Sequence, residues 1–321
     1  MKQKTAVGGL LFVVLFLSAC QQQEFLFNPF QGTAALEMAF LENAPSAQIY
    51  ASPDGEEFEI LLKLQNEGAF DIQRGFLTLG VEQDYLSIKK WDLEGTEIVL
   101  MGPQQASFLL EGKSKLNPFG SDAMVALRAV ATLKEPQVET LATQILATAC
   151  YEYFTQANTP ICIDTDVYNR KGTEKVCEIS DVSIGGTGSP IVIDSVGVEM
   201  LPDGGEFVRP RFTIHISNAG IGQVIAPEAV QEACSAKGLS HDLLNTIKIE
   251  EISFSGYSYS KGQMQCNPQK AKLEQGEASV TCTLAPALLQ SNKPTYTTNL
   301  YIKLKFGYLQ SISTETRLEK I

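Results

Sequence analysis

Apolar positions in this chain alternate with polar ones far more often than they recur at helical spacing. Over 58–65, Phe58, Ile60, Leu62 and Leu64 share one face, and Glu59, Leu61, Lys63 and Gln65 share the other. A period of two over this length predicts a half-buried strand. The pattern returns over 212–217, with Phe212, Ile214 and Ile216 on the inner face. Further strands are predicted over 76–81, 97–100, 124–133, 141–153, 191–199, 247–254 and 300–306. One stretch departs from the rule. Segment 227–238 opens on Pro227 and closes on Gly238, the punctuation expected of a helix.

The strands recur in order. Each of the two alternating runs ends in an Asn-x-Gly turn, at Asn66-Glu67-Gly68 and again at Asn218-Ala219-Gly220, 152 residues on. Asn and Gly tolerate the positive φ of a tight reversal. Val125-Ala126-Leu127 is answered by Val280-Thr281-Cys282, and Tyr151-Glu152-Tyr153 by Phe306-Gly307-Tyr308, both 155 residues on. Three landmarks at a nearly constant offset indicate an internal duplication. Many strands with short connections make the chain all-β: two tandem immunoglobulin-like β-sandwich domains, with a short helical insertion in the second. The boundaries fall at 33–166 for the first, 167–179 for a polar linker and 180–321 for the second.

The N-terminus has a different pattern. Lys2 and Lys4 precede a 14-residue apolar run, Ala6 to Ala19. That is shorter than the roughly 20 residues a spanning helix needs, and it suits a secretory signal. The run ends in Leu17-Ser18-Ala19-Cys20, which resembles a lipobox. The resemblance implies cleavage after residue 19, lipid on Cys20, and a tether over 20–32. Such a chain is anchored to the outer face of a membrane and does not span it.

Seven cysteines stand at 20, 150, 162, 177, 234, 266 and 282. With Cys20 lipidated, six remain, and an even number in an exported chain predicts disulfides. Cys150 and Cys162 flank the polar stretch 155–160 and would face each other across a hairpin. Cys266 and Cys282 sit at inward positions of alternating runs and would bridge within one core. Cys177 is then left to Cys234, with Cys162–Cys177 as the competing pair because those two bracket the linker.

The strand-plus-turn ending in Asn-x-Gly resembles CARDB-type immunoglobulin-like domains. Cys150-Tyr151-Glu152-Tyr153-Phe154-Thr155 with Cys162-Ile163-Asp164, followed by the Gly-rich segment 185–190, resembles uncharacterised surface proteins of small-genome archaea. The resemblance implies an architecture and carries no activity with it.

Charge and candidate chemistry narrow the function. The 321 residues hold 25 Lys plus Arg against 37 Asp plus Glu, a formal net charge of −12. That argues against nucleic acid as a partner. Asp164-Thr165-Asp166 begins like a calcium loop, but the fifth, sixth and twelfth positions are Tyr168, Asn169 and Lys175. The pattern therefore reads as a solvated loop. Segment 185–190 precedes a strand, so it reads as a flexible connection or an inter-domain contact and not as a phosphate loop. There are two histidines. His215 falls on the outward face of its strand. His241 and Asp242 follow Ser240, a candidate helix cap, and neighbours in sequence cannot form a triad. No catalytic residue, metal ligand or cofactor is assigned. Phe254, Tyr257 and Tyr259, spaced by Ser and Gly, are the candidate partner surface, set against an ordinary strand pair and turn.

These features together predict a non-enzymatic, lipid-anchored cell-surface protein. Its roles would be adhesion, envelope architecture or service as an accessory subunit, with other envelope proteins or itself as partners. A solute-binding lipoprotein and an exported hydrolase are the alternatives. Replacing Cys266 or Cys282 with Ser is expected to cost about 2–5 kcal/mol, measured by urea denaturation.

Overall fold

The computed structural model describes residues 28–93, 98–170, 172, 174–235 and 238–321. The basic start, the apolar run and Cys20 lie outside the described residues. Nine strands make up the first half: β1 (Leu36–Phe40), β2 (Gln48–Ala51), β3 (Glu56–Asn66), β4 (Ile72–Val81), β5 (Leu86–Leu93), β6 (Ile98–Gly102), β7 (Gln105–Leu110), β8 (Asp122–Ala131) and β9 (Thr140–Ile163). The second half begins with β10 (Val182–Gly185), β11 (Ile191–Asp203), β12 (Phe207–Asn218) and β13 (Gln223–Ile225). A 3-10 turn (Pro227–Ala229) and a helix, α1 (Val230–Ala233), follow. After a second 3-10 turn (His241–Leu243), the chain continues as β14 (Thr246–Phe254), β15 (Tyr257–Ser258), β16 (Met264–Asn267), β17 (Lys270–Lys272), β18 (Glu277–Leu284), β19 (Leu289–Gln290) and β20 (Tyr296–Lys320).

The fold is all-β, two sandwich-like halves with a short helical insertion in the second. β1-β3-β8-β5 form one outer sheet, and β10-β11-β12-β18-β16 with β19 form the other. Both lie over a single ten-stranded sheet, β15-β14-β20-β9-β4-β7-β6, with β2, β13 and β17 at its margins. The period-two faces are buried as the sequence predicts. Ile60, Leu62 and Leu64 of β3 and Phe212, Ile214 and Ile216 of β12 are all within 1% of full burial.

The two sandwiches are fused through β9 and β20. These strands pair antiparallel along almost their whole length, from Thr140↔Glu319 to Ile163↔Tyr296. Tyr151 faces Tyr308, Tyr153 faces Phe306, and Glu152 faces Gly307. The repeat offset carries Glu152 onto Gly307, its own partner, so a pseudo-two-fold axis passes through that pair. Residues of both halves join one hydrophobic cluster.

β9 corrects the predicted hairpin. Segment 155–160 is the interior of a strand, with Thr155, Ala157 and Thr159 buried and Asn158 and Pro160 exposed. β4 pairs with β9 only as far as Tyr151, so the missing N–H of Pro160 interrupts no ladder on that edge. Cys150 and Cys162 are therefore about 40 Å apart along one strand, at about 3.3 Å per residue, and cannot bridge. Cys150 bonds Cys234, Cys162 bonds Cys177, and Cys266 bonds Cys282. The expected Cys150–Cys162 and Cys177–Cys234 pairs are replaced, and the competing Cys162–Cys177 pair is present. Cys266 and Cys282 face each other across β16 and β18.

The predicted 227–238 helix is shorter than its punctuation suggests. It ends at Ala233 because Cys234 turns toward the first half. There the Cys234 carbonyl accepts hydrogen bonds from Thr78 Oγ1 (2.8 Å) and Gln105 Nε2 (3.0 Å). The insertion covers the outer face of the large sheet and builds a second small core from Phe76, Cys150, Ile225, Val230 and Cys234. A Cβ at Gly307 would lie 2.7 Å from both Ile225 and Val230, so this cover needs glycine at the axis.

The Asn-x-Gly turns hold the sandwiches to the central strands by the same set of bonds twice. Asn66 Oδ1 accepts from Gly68 N and from the Tyr153 hydroxyl, each at 3.2 Å. That hydroxyl accepts from Phe70 N at 3.2 Å, and Asn66 Nδ2 donates to Phe70 O at 2.8 Å. In the second half, Asn218 Oδ1 accepts from Gly220 N (3.2 Å) and Tyr308 (3.1 Å). Gly222 N donates to Tyr308 (2.8 Å), and Asn218 Nδ2 donates to Gly222 O (2.9 Å). A Cβ at Gly68 or Gly220 would meet the tyrosine hydroxyl at 2.0 or 2.3 Å, so only glycine admits the ring. Burial raises the Tyr153 and Tyr308 pKa values, which keeps both hydroxyls protonated as donors.

Tyr153→Phe leaves Phe70 N and Asn66 Oδ1 short of a partner in a buried site. We expect a loss of about 1–3 kcal/mol, read from the urea midpoint at unchanged slope. Asn66→Ala combined with Tyr153→Phe should cost less than the sum of the two single changes.

Candidate functional site

The aromatic stretch proposed as a partner surface is largely internal. Phe254 is 2% exposed and stacks edge-on against Phe212 at 5.1 Å. Tyr257 packs on Phe254 at 5.5 Å and donates its hydroxyl to Leu288 O at 3.0 Å. Tyr259 is half-buried and its N–H bonds Ile252 O at 2.8 Å. Ser255 and Gly256 have φ of 49° and 85°, the two positive values of a tight hairpin turn. Burial of Phe254 and the hairpin turn at Ser255-Gly256 account for the spacing of these aromatics, and Tyr257 and Tyr259 stay half-buried.

The Asp-x-Asp segment is also structural, and it is not solvated at its first position. Asp164 is 7% exposed. Lys175 Nζ reaches its Oδ2 at 2.6 Å, and Asp166 N and Thr295 Oγ1 reach its Oδ1 at 2.9 and 3.1 Å. Burial works to raise the Asp164 pKa, but these hydrogen bonds and the Lys175 charge together hold it below the usual value. The Cys162–Cys177 disulfide closes the loop that brings Lys175 back. Among the described residues, no group of three or more His, Cys, Asp or Glu is placed to hold a metal ion.

His215 is exposed on β12, facing Ser195 and Ser279 on its neighbours. Ser240 precedes the 3-10 turn at His241 but makes no cap to its backbone. Its hydroxyl instead donates to the Asp242 carboxylate, and that bond is the main cause of the lowered Asp242 pKa.

The Gly-rich segment 185–190 is an inter-domain contact. Gly188 O accepts from Ala69 N at 2.8 Å, in the turn of the other half. Gly188 N donates to Gly32 O at 2.9 Å. A Cβ at Gly188, whose φ is +69°, would lie 2.6 Å from the Ala69 side chain. The segment is thus seated across the first turn by its lack of side chains.

The matching seat on the second turn is open. A cleft of about 350 Å³ lies at the waist of the molecule. Ala35, Leu36 and Met38 line one side, Ile221 and Ile312 the other, and the buried Tyr151 and Tyr308 form the base. Ile221 occupies the position of Ala69 in the repeat, yet it is 96% exposed. Sequence reasoning missed this cleft because its signal is a difference between two equivalent turns, which appears only once both are folded.

No known protein family matches the chain, and no curated protein matches it. Among solved structures it is similar to a chain of a type I cohesin–dockerin complex, Coh-OlpC–Doc435, from Clostridium thermocellum. The identity is 16% over 37% of this chain and 85% of that one, with a TM-score of 0.24. It is also similar to the C-terminal domain of AspA, an antigen I/II-family protein of Streptococcus pyogenes: 5% identity, 90% and 100% covered, TM-score 0.19. An N-terminal region of an enterococcal surface protein gives 7% identity, 88% and 86% covered, and a TM-score of 0.18. With scores this low, none of them bears on function.

Lys175→Met should leave the buried Asp164 carboxylate without its cation and cost about 1–3 kcal/mol. Because folding lowers the Asp164 pKa, its contribution is present above the unfolded value of about 3.9 and is lost as pH falls through the folded value. The stability gap between wild type and variant should therefore be widest near neutrality and close in acid, as followed by urea midpoints across pH.

Proposed function

We propose that this chain is a non-enzymatic protein of the cell surface, held to the outer face of a membrane by lipid on Cys20. Its two fused sandwiches form a stiff body that binds other envelope proteins or further copies of itself. The observation that carries this reading is the disulfide set: all six cysteines of the folded body are paired, and Cys150–Cys234 ties the insertion of one half to the sheet of the other. Such bonds form and persist in an oxidising compartment. The short apolar run and the lipobox-like Leu17-Ser18-Ala19-Cys20 support export and anchoring. The resemblance to archaeal surface proteins with CARDB-like domains points the same way.

The polar groups described above, buried Asn66, Tyr153, Tyr308 and Asp164 and half-buried Asn218, are each occupied in holding the fold. No described helix is long and apolar enough to cross a membrane.

Cys20→Ser in the source cells tests the anchor. The expected result is a protein that leaves the membrane fraction and keeps its three disulfides on a non-reducing gel. Retention in the membrane fraction would contradict lipid attachment at this residue.

A further inference from the structure

We infer that the waist cleft is a seat for a neutral or basic peptide segment of a partner protein. This deepens the binding role proposed above and does not depend on the lipid anchor. The argument rests on the two Asn-x-Gly turns, whose backbone donors can be compared one by one. The first donor of each turn, Gly68 N or Gly220 N, goes to the Asn side chain. The third, Phe70 N or Gly222 N, goes to the tyrosine hydroxyl. In the first turn the middle donor, Ala69 N, goes to the carbonyl of Gly188, in a segment laid across the turn that bends at Gly188. In the second turn the middle donor is Ile221 N, which has no protein partner among the described residues.

The space matches the missing bond. By the repeat, Thr33 and Ala34 stand where Gly188 and Ser189 stand in the other half. Gly188 crosses to Ala69, and Ser189 closes down on Thr155 with a 2.7 Å hydrogen bond between their hydroxyls. Thr33 does not cross to Ile221. Gln310 reaches Leu36 O at 2.7 Å as Thr155 reaches Ile191 O, but Ala34 has no hydroxyl to repeat the Ser189 contact, and the cleft opens there. Its volume of about 350 Å³ falls within the range of small ligand sites. The occupied seat shows what fits: a backbone bent at glycine that presents a carbonyl to the middle N–H, with a small residue entering beside the tyrosine.

Charge narrows the occupant. Glu37 and Glu67 border the cleft, and among the described residues no Lys or Arg lines it. An acidic peptide would meet two carboxylates with no counter-charge, whereas a neutral or basic one would not. Ile221, almost wholly exposed, supplies an apolar flap that can fold over the bound segment.

The test uses residues 21–321, which contain every described sheet, core cluster and disulfide, in a ¹⁵N-labelled titration. The probe is a blocked synthetic peptide copying residues 184–190, the occupant of the equivalent seat. Amide shifts should cluster at 219–222, 35–38 and Glu67, saturating with weak affinity near the ~1 mM range. Ile221→Asp, at a site too exposed to affect folding, should weaken binding by at least about tenfold at an unchanged melting temperature. A copy of the peptide with Asp at both ends should bind more weakly than the neutral one. Shifts elsewhere, no shifts, or equal binding by the acidic peptide would overturn the inference. So would concentration-dependent shifts at 219–222 without peptide, which would assign the cleft to a second copy of this chain. Each outcome can be read whether or not Cys20 carries lipid.

Discussion

The pairing of β9 with β20 is the constraint on which the rest of the molecule depends. Two immunoglobulin-like sandwiches joined by a linker would each own both of their sheets. Here the last strand of each half runs on past its own sandwich and becomes part of the other's wall. Thr140 to Tyr151 serve the first half, and beyond Tyr153 the same strand backs the second. The ladder thereby fixes the angle between the halves as firmly as the angle within either one. The insertion adds a covalent tie at the same place, since Cys150 lies on the face of β9 opposite Tyr151 and Tyr153 and meets Cys234 there.

Around this ladder the tyrosines act as pins. Tyr153 and Tyr308 each pass a hydroxyl through the gap left by a missing Cβ and occupy one donor and one acceptor of a turn. At the more buried first turn, losing these partners would leave amides unsatisfied, which is costly in a core. The repetition of this device, atom for atom, is the strongest physical sign of duplication. It also makes the one unmatched donor, at Ile221, stand out.

Much of the fold was legible in the sequence because period two is a direct imprint of one-sided burial. β3, β8, β12, β14 and β18 could be read in this way. β9 could not be read to its end, since Thr155, Ala157 and Thr159 alternate as small or polar residues and Asn158 and Pro160 resemble a turn. Their inward side chains face a second sandwich that local sequence does not announce. Disulfide partners were hidden for the same reason: Cys150 meets Cys234 through a crossing between halves, and spacing along the chain carries no information about it. The aromatic cluster at 254–259 misled because Phe, Tyr, Ser and Gly serve a hairpin and a binding surface equally well. The open seat at the waist was beyond reach, because it is an asymmetry between two folded copies.

The order in which the chain is made gives the ladder a further meaning. β20 emerges after every other described element, and until it arrives the inner edge of β9 is an unpaired template 24 residues long. An edge of that length invites pairing with other chains. Neither half can complete its larger sheet from its own residues alone, and the required contact joins strands far apart in sequence, a slow step for any chain. The protein therefore cannot fold domain by domain during synthesis. It reaches its final form only as a whole.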